Sequence, residues 1–275
     1  MMSRLVFYDI ASAPPLRTFA PNPWKTRFAL NLKGVPYTTS WTDLPDIASV
    51  REKLGVSANR TLPDGTPFHT LPVIHDLSTS ETLGDTFEIA LYLDRNYSGA
   101  DYPLLIPQHA TGLTAAFNAY VDGLFTKYAA LCDAPPYDPR IADKVQSIFA
   151  KRFGVESLEA LQPKGEAREQ MLAAFEATLG ELAKAYRHTG GTTDWVWRAS
   201  GTEIQLAQKP PPGREVRVGP FLDGETPSYS DCIVCAWLKM MEACMPSDEW
   251  ARVRKWQGGL WGTVVDGMER WSQIQ

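Results

Sequence analysis

Two short segments carry the residues whose types and spacing best suit chemistry. The first is Leu71-Pro72, set inside a β-type run from Thr70 to His75. Proline cannot donate to a strand ladder. A cis X-Pro bond here leaves the preceding backbone group free to pair with an extended, peptide-like ligand. The second segment is Asp85-Thr86-Phe87-Glu88. Asp85 is placed to open a helix, with Glu88 as the reciprocal partner of a capping box. A helix start attracts a carboxylate through its unpaired N–H groups and its dipole. Strand pairing on one side and carboxylate capture on the other describe a site for a small peptide. Each segment alone has an ordinary structural reading, an edge or bulge for one and a plain cap for the other. Their combination and order along the chain carry the functional reading.

Other constellations are weaker. Cys232-x-x-Cys235 has redox spacing, but it lies well inside a helical run, DCIVCAWLKMM. A helix N-terminus would lower a thiol pKa; a helix interior does not. Both residues are therefore expected to be buried as small apolar side chains. Cys132 and Cys244 complete the cysteine set. His69, His75, His109 and His188 lack metal-ligand spacing with cysteines or carboxylates, so no metal is expected. Neither a phosphate-binding glycine loop nor a Gly-x-Ser-x-Gly elbow occurs.

The composition narrows the class. The 275 residues are 44% hydrophobic and 11% aromatic, enough for a packed core and against disorder. A net charge of −5 argues against a nucleic-acid partner, which needs a clustered basic face. Apolar runs stay shorter than the roughly eighteen residues a membrane span needs. The opening MMSRLVFYDI is too short an apolar run for a signal peptide. Few cysteines and no export signal fit a reducing, cytoplasmic compartment.

The elements that must position these residues can be read in order. Leu5 to Ile10 is a strand, followed by a proline-rich loop. A helix starts near Pro21 to Trp24, because proline is favoured in a first turn, and stops at Gly34. Val35 to Trp41 is a second strand, and a short helix covers Ile47 to Leu54. A turn is expected at Pro63-Asp64-Gly65. The strands Pro72 to His75 and Glu81 to Leu83 lead into the helix opened by Asp85, which ends near Tyr97. The order βαβαββα closes a first domain over 1–98. Pro103 and Pro107 mark a linker. The remainder, 108–275, is read as all-helical: His109 to Leu131, Arg140 to Phe153, Glu166 to His188, a helix capped by Ser228 and Asp231, and two shorter helices ending near Trp271. An insertion at 189–218, with a Gly-Gly turn and Lys209-Pro210-Pro211-Pro212-Gly213, reads as a hairpin or a loop.

These residues resemble a known family. Leu-Pro-Val, then Asp-Thr-x-x-Ile-Ala-x-Tyr-Leu, then Pro-Ser-x-Ser-Asp in a helical domain look like a glutathione transferase over nearly the whole chain. The segment Ala20 to Tyr37, APNPWKTRFALNLKGVPY, together with the insertion, is closer to the bacterial β-etherases and the fungal etherase-related class. The resemblance implies a thioredoxin-like α/β N-terminal domain followed by an all-α C-terminal domain, glutathione as co-substrate, and a homodimer. It implies that the Leu71 backbone, before a cis Pro72, pairs with the cysteinyl part of glutathione. Asp85 and Thr86 fall where the family holds the γ-glutamyl group. Ser228 and Asp231 match its folding motif.

One position departs from the pattern. The residue before Pro-x-x-Trp-Lys is usually a serine whose hydroxyl stabilises the glutathione thiolate; here it is Ala20. A free thiol has a pKa of about 8.5. A hydrogen bond to a charged acceptor contributes about 1.5–3 kcal/mol, which is roughly one to two pKa units. What remains for the thiolate is the helix N-terminus after Ala20, with Asn22 as a side-chain donor and Thr18 as a second candidate. A pocket for an aromatic co-substrate is expected between the first domain and the helix from His109, walled by Phe19, Trp24, Phe117 and Tyr120. Two activities compete: thiol transfer to aromatic, lignin-derived or xenobiotic electrophiles, or detoxification of peroxides by the same thiolate, against a ligandin that binds hydrophobic phenolics. A structural or regulatory role is the third, since folds are reused without catalysis.

Overall fold

Alternating burial along Leu5–Ile10 makes β1 the centre of a four-stranded sheet. β2 (Tyr37–Thr42) runs parallel to it, with Leu5 opposite Tyr37 and Ile10 opposite Thr42. On its other side β5 (Val73–Asp76) is antiparallel, and β6 (Glu81–Leu83) closes the order β2-β1-β5-β6. The computed structural model describes residues 5–15, 17–62, 65–186, 197–199, 202–204, 220–224 and 226–275. The expected turn at Pro63-Asp64-Gly65 lies partly outside these, as does the end of the 166–188 helix. Within the insertion, the described residues form a small antiparallel hairpin, β7 (Trp197–Ala199) and β8 (Thr202–Ile204).

The helix after β1, α1 (Pro21–Lys33), starts on Pro21 and ends on Gly34 at φ 65°, a left-handed cap that glycine adopts without a Cβ penalty. It is buried from Pro23 to Lys33, wedged between the sheet and the helical domain. Three cations on it are therefore buried, and each meets an aspartate from a different element. Arg27 bonds Asp9 of β1 at 2.6 Å. Lys33 bonds Asp94 of α3 (Thr86–Asn96) at 2.7 Å. Lys25 bonds Asp122 of α4 (Thr111–Thr126) at 2.5 Å and Asn118 at 2.9 Å. Asp94 also accepts the Leu105 and Ile106 N–H groups, both at 2.9 Å, which fixes the segment between the two domains.

The helical part follows with differences from the sequence reading. The helix expected from His109 to Leu131 is shorter: α4 ends at Thr126, and a separate 3-10 turn covers Ala129–Leu131. Thr126 turns its hydroxyl back onto the Asp122 carbonyl, while Tyr128 folds over to Thr178 and stacks against Phe175. α5 (Ala142–Phe153) stops on Gly154, and α6 (Glu166–Tyr186) is the long helix of the domain. α7 (Tyr229–Cys244) opens with the expected capping box: the Ser228 N–H and hydroxyl both reach Asp231. Its Cys232 and Cys235 are fully buried, as their place inside the helix implies. α8 (Ser247–Val253) and α9 (Trp256–Met268) follow. In the first domain α2 (Ile47–Lys53) matches expectation. The short hairpin of β3 (Arg60–Thr61) and β4 (Pro67–Phe68) does not appear in the sequence reading; two-residue strands carry no alternation to read.

α3 is held against the sheet by one carboxylate. Asp76 at the end of β5 accepts from the Tyr92 hydroxyl at 3.0 Å, the Tyr97 hydroxyl at 2.6 Å and the Ser78 N–H at 2.8 Å. Burial pushes this carboxyl up, but the hydrogen bonds outweigh it and the net shift is below the ordinary 3.8. A carboxyl depressed in the folded state adds stability above its unfolded pKa and loses it as pH falls through the folded one. Acid unfolding monitored by circular dichroism should therefore show a stability loss beginning below about pH 4. Asp76→Asn should remove part of that dependence and cost about 1–3 kcal/mol at neutral pH.

Candidate functional site

The two segments singled out in the sequence are brought together by Arg51. The Leu71-Pro72 peptide is cis, and Leu71 is fully buried. Asp85 is the N-cap of α3, in extended geometry, and its Oδ1 accepts from the Phe87 N–H at 2.9 Å and the Glu88 N–H at 3.4 Å. Glu88 does not complete the box expected from its spacing; it is exposed and only the Asp85 half forms. Both helix amides use the same carboxylate oxygen, Oδ1. Thr86 is itself buried, and its carbonyl accepts from the Tyr229 hydroxyl at 2.8 Å. The capping motif of α7 thus buttresses the first turn of α3.

Arg51 of α2 is 1% exposed. Its guanidinium donates to the Thr70 carbonyl at 2.6 Å, to the Gly84 carbonyl at 3.2 Å and to the Ser57 carbonyl. One side chain therefore ties the residue before Leu71 to the residue before Asp85. Asn59 adds a second donor to the Gly84 carbonyl. Burial lowers the Arg51 pKa, and the Asp85 charge opposes that. Sequence reasoning missed Arg51, Asn59 and Gly84. Gly84 has a steric reason to be glycine: a Cβ there would lie 2.6 Å from Val56 Cγ1 and 2.7 Å from an Arg51 nitrogen.

The α1 N-terminus is poorer in donors than its place in the fold implies. Ala20 is the N-cap and offers no side-chain bond. Pro21 and Pro23 have no N–H, and the Trp24 N–H already bonds the Ala20 carbonyl at 3.2 Å. Asn22, half-buried, supplies the backbone donor of that first turn. Thr18 is fully buried. Its hydroxyl lies beside Asp9 and helps hold that carboxyl down, without forming a well-aligned hydrogen bond.

Phe19, Ala20, Ile47, Leu71, Val73 and Cys244 form one apolar cluster, so the Ala20 methyl sits among hydrocarbon and sulfur. Phe19 is also edge-on to Tyr137 at 5.9 Å. The other three expected walls are outside this cluster. Trp24 is 5% exposed, stacked on Phe28 at 5.0 Å with Lys239 over its ring. Phe117 packs at the edge of the main core, and Tyr120 is 51% exposed. A cavity of about 370 Å³ opens between the end of β2, α2 and the loop after β1. Tyr8, Trp41, Arg17 and Asp138 line it, and none of the four expected residues does. Among the described residues no group of histidines, cysteines and carboxylates is set to hold a metal, and no helix is long and apolar enough to cross a membrane.

A family model described as the glutathione S-transferase C-terminal domain matches residues 113–271, more than half of the chain, and one described as the N-terminal domain matches 19–96. The chain belongs to the glutathione S-transferase family. Its relatives in that family span its whole length. A glutathione S-transferase-like protein of Aspergillus flavus, ustS, is 28% identical, covering 97% of this chain and 92% of that one. A glutathione S-transferase of Ceriporiopsis subvermispora, solved in complex with glutathione, is 30% identical with a TM-score of 0.80, covering 98% of both chains. The transferase GSTFuA2 of Phanerochaete chrysosporium is 28% identical with a TM-score of 0.77, covering 98% of this chain and 99% of that one. A thioredoxin-like first domain and a helical second one are the family's fold.

Two substitutions test the bridge. Gly84→Ala forces a Cβ into Arg51 and Val56 and should cost about 1–3 kcal/mol of stability, read as a lower thermal midpoint. Arg51→Met keeps the stem but leaves the Thr70 and Ser57 carbonyls without this donor, while Asn59 still serves the Gly84 carbonyl. It should lower stability further, by about 1–3 kcal/mol per unsatisfied group at most.

Proposed function

We propose that this protein is a glutathione transferase of the fungal etherase-related type, acting on aromatic, lignin-derived or xenobiotic compounds. Its γ-glutamyl site is the α3 start: the ligand's ammonium against Asp85 Oδ2, its carboxylate on the Thr86 N–H. The cysteinyl backbone pairs with Leu71 before cis-Pro72. The observation that carries this reading is the Arg51 bridge, which sets those two segments in one fixed relation. The ligand sulfur then lies toward Ala20 and the Asn22 N–H, with Phe19 as the aromatic wall nearest to it. Trp24, Phe117 and Tyr120 have other parts: Trp24 is core, and exposed Tyr120 and Leu113 give α4 an apolar face suited to a homodimer. Four unpaired cysteines suit a cytoplasmic protein.

The apolar setting of Ala20 favours a second reading, a weakly catalytic ligandin that holds hydrophobic phenolics. With one backbone donor and no hydroxyl, the thiolate gains less than in a serine-bearing relative. Ala20→Ser separates the two. It should lower the pKa of bound glutathione, seen by thiolate absorbance, and raise turnover of a chromogenic electrophile by about tenfold or more. Unchanged pKa and rate would move the activating role to Asn22, which Asn22→Ala then tests. Asp85→Ala should weaken glutathione binding at least about tenfold by calorimetry; a folded variant with wild-type affinity would remove the γ-glutamyl assignment.

A further inference from the structure

Cys132 and Cys244 lie far apart in the chain yet meet in the fold. Cys132 ends the 3-10 turn after α4, and Cys244 is the last residue of α7. The Cys244 side chain belongs to an apolar cluster that Cys132 packs against. Their backbones are tied as well, by the Ala134 N–H to the Cys244 carbonyl at 3.0 Å. Met241 Sδ stands 3.4 Å from Cys132 Sγ. Cys132 is half-buried, whereas Cys244 is 2% exposed. Both touch the cluster that contains Ala20 and Leu71, so the pair borders the place proposed for the ligand sulfur. Cys232 and Cys235 differ in each respect: both are fully buried on one helix, in the other core cluster.

We propose that Cys132 and Cys244 form a redox dithiol that closes to an intramolecular disulfide by exchange with glutathione disulfide. The Cys132 thiolate attacks one sulfur of glutathione disulfide, the S–S bond breaks, and one glutathione leaves as a thiolate that takes up a proton. Cys244, having lost its own proton, then attacks the Cys132 sulfur of the mixed disulfide and expels the second glutathione. Two protein thiols and one glutathione disulfide become one protein disulfide and two glutathione thiols, with no other oxidant. The order follows exposure: a small disulfide reaches Cys132 first, and Cys244 resolves.

The surroundings set the rate. The neighbouring Cys244 thiol and burial hold the Cys132 thiol well above its ordinary value. Asp133 adds to this and Arg168 opposes it. Arg168 is itself held by Glu249 at 2.5 Å and by the Leu131 carbonyl at 3.0 Å, so its charge is fixed near the pair. Exchange is therefore expected to quicken as pH rises, through the thiolate fraction.

The choice of glutathione disulfide rests on the glutathione site proposed above; the dithiol does not. Folded protein is incubated with glutathione disulfide or with 2-hydroxyethyl disulfide, and remaining thiols are alkylated. Intact mass and peptide mapping follow. Both probes should reduce the free thiols from four to two and give a Cys132–Cys244 cross-linked peptide. Cys244→Ser should stop at a stable mixed disulfide on Cys132, which a merely packed cysteine would not give. Four free thiols with both probes, or a Cys232–Cys235 cross-link instead, would overturn the proposal. Closure by 2-hydroxyethyl disulfide alone would overturn the glutathione step. Calorimetry of glutathione on the untreated protein reads the ligand site separately.

Discussion

Everything in this structure is arranged around a helix that has no exposed face. α1 is sheathed by the sheet on one side and by α3, α4 and α7 on the others, and three of its buried side chains are cationic. A lone buried charge costs several kcal/mol, and its attraction to a partner repays this only when the partner is close and otherwise hydrogen-bonded. Each cation meets that condition. Burial raises the Asp9 carboxyl and lowers the Lys25 ammonium, and in both cases the partner's charge opposes the shift. Asp122 also accepts the Trp237 indole N–H at 2.6 Å, so one carboxylate joins α1, α4 and α7. Removing any one of these aspartates strands a cation in the core. The position of the α1 N-terminus is therefore fixed by ion pairs far along its length.

The same economy appears around Arg51, with a different result. Its partners are carbonyl oxygens, not a carboxylate, and they belong to loops that have no regular structure of their own. Loop carbonyls left without donors inside the protein cost as much as a broken hydrogen bond. Arg51 satisfies three at once, and in doing so it sets the distance between Thr70 and Gly84. Gly84 is the complement: a residue without a side chain lets the guanidinium reach the backbone. The spacing of these two segments is thus a by-product of satisfying backbone polar groups.

This division explains what could be read from the chain and what could not. Features written in neighbouring residues were legible: Gly34 as the stop of α1, Asp85 as the cap of α3, Ser228 with Asp231 at α7, and the burial of Cys232 and Cys235 within one helix. The thioredoxin-like order of strands and helices followed from the same local signals. Arg51 left no local trace, because its partners lie in other loops and carbonyls have no residue signature. Cys132 and Cys244 were visible only as separate residues; their meeting depends on how α4 gives way to a 3-10 turn before Leu131. The aromatic side chains show the same limit. Trp24, Phe117 and Tyr120 have the right chemistry, but burial and exposure are properties of packing, and packing sent them to the core, its edge and the surface.

The α1 start shows how a local signal can be read correctly for structure and incompletely for chemistry. Pro21 and Pro23 favour a helix start because proline fixes φ at a helical value. The same residues delete two of the amides that make helix starts attractive to anions. With Trp24 already bonded to Ala20, the first turn presents a single backbone donor to whatever lies before it. A serine at position 20 would double that number. Ala20 instead extends the apolar cluster of Phe19, Leu71 and Cys244 to the helix tip. In so dry a setting an anion is disfavoured by desolvation and each remaining donor counts for more. A sulfur placed there would carry a charge set by the balance between Asn22 and that apolar surround.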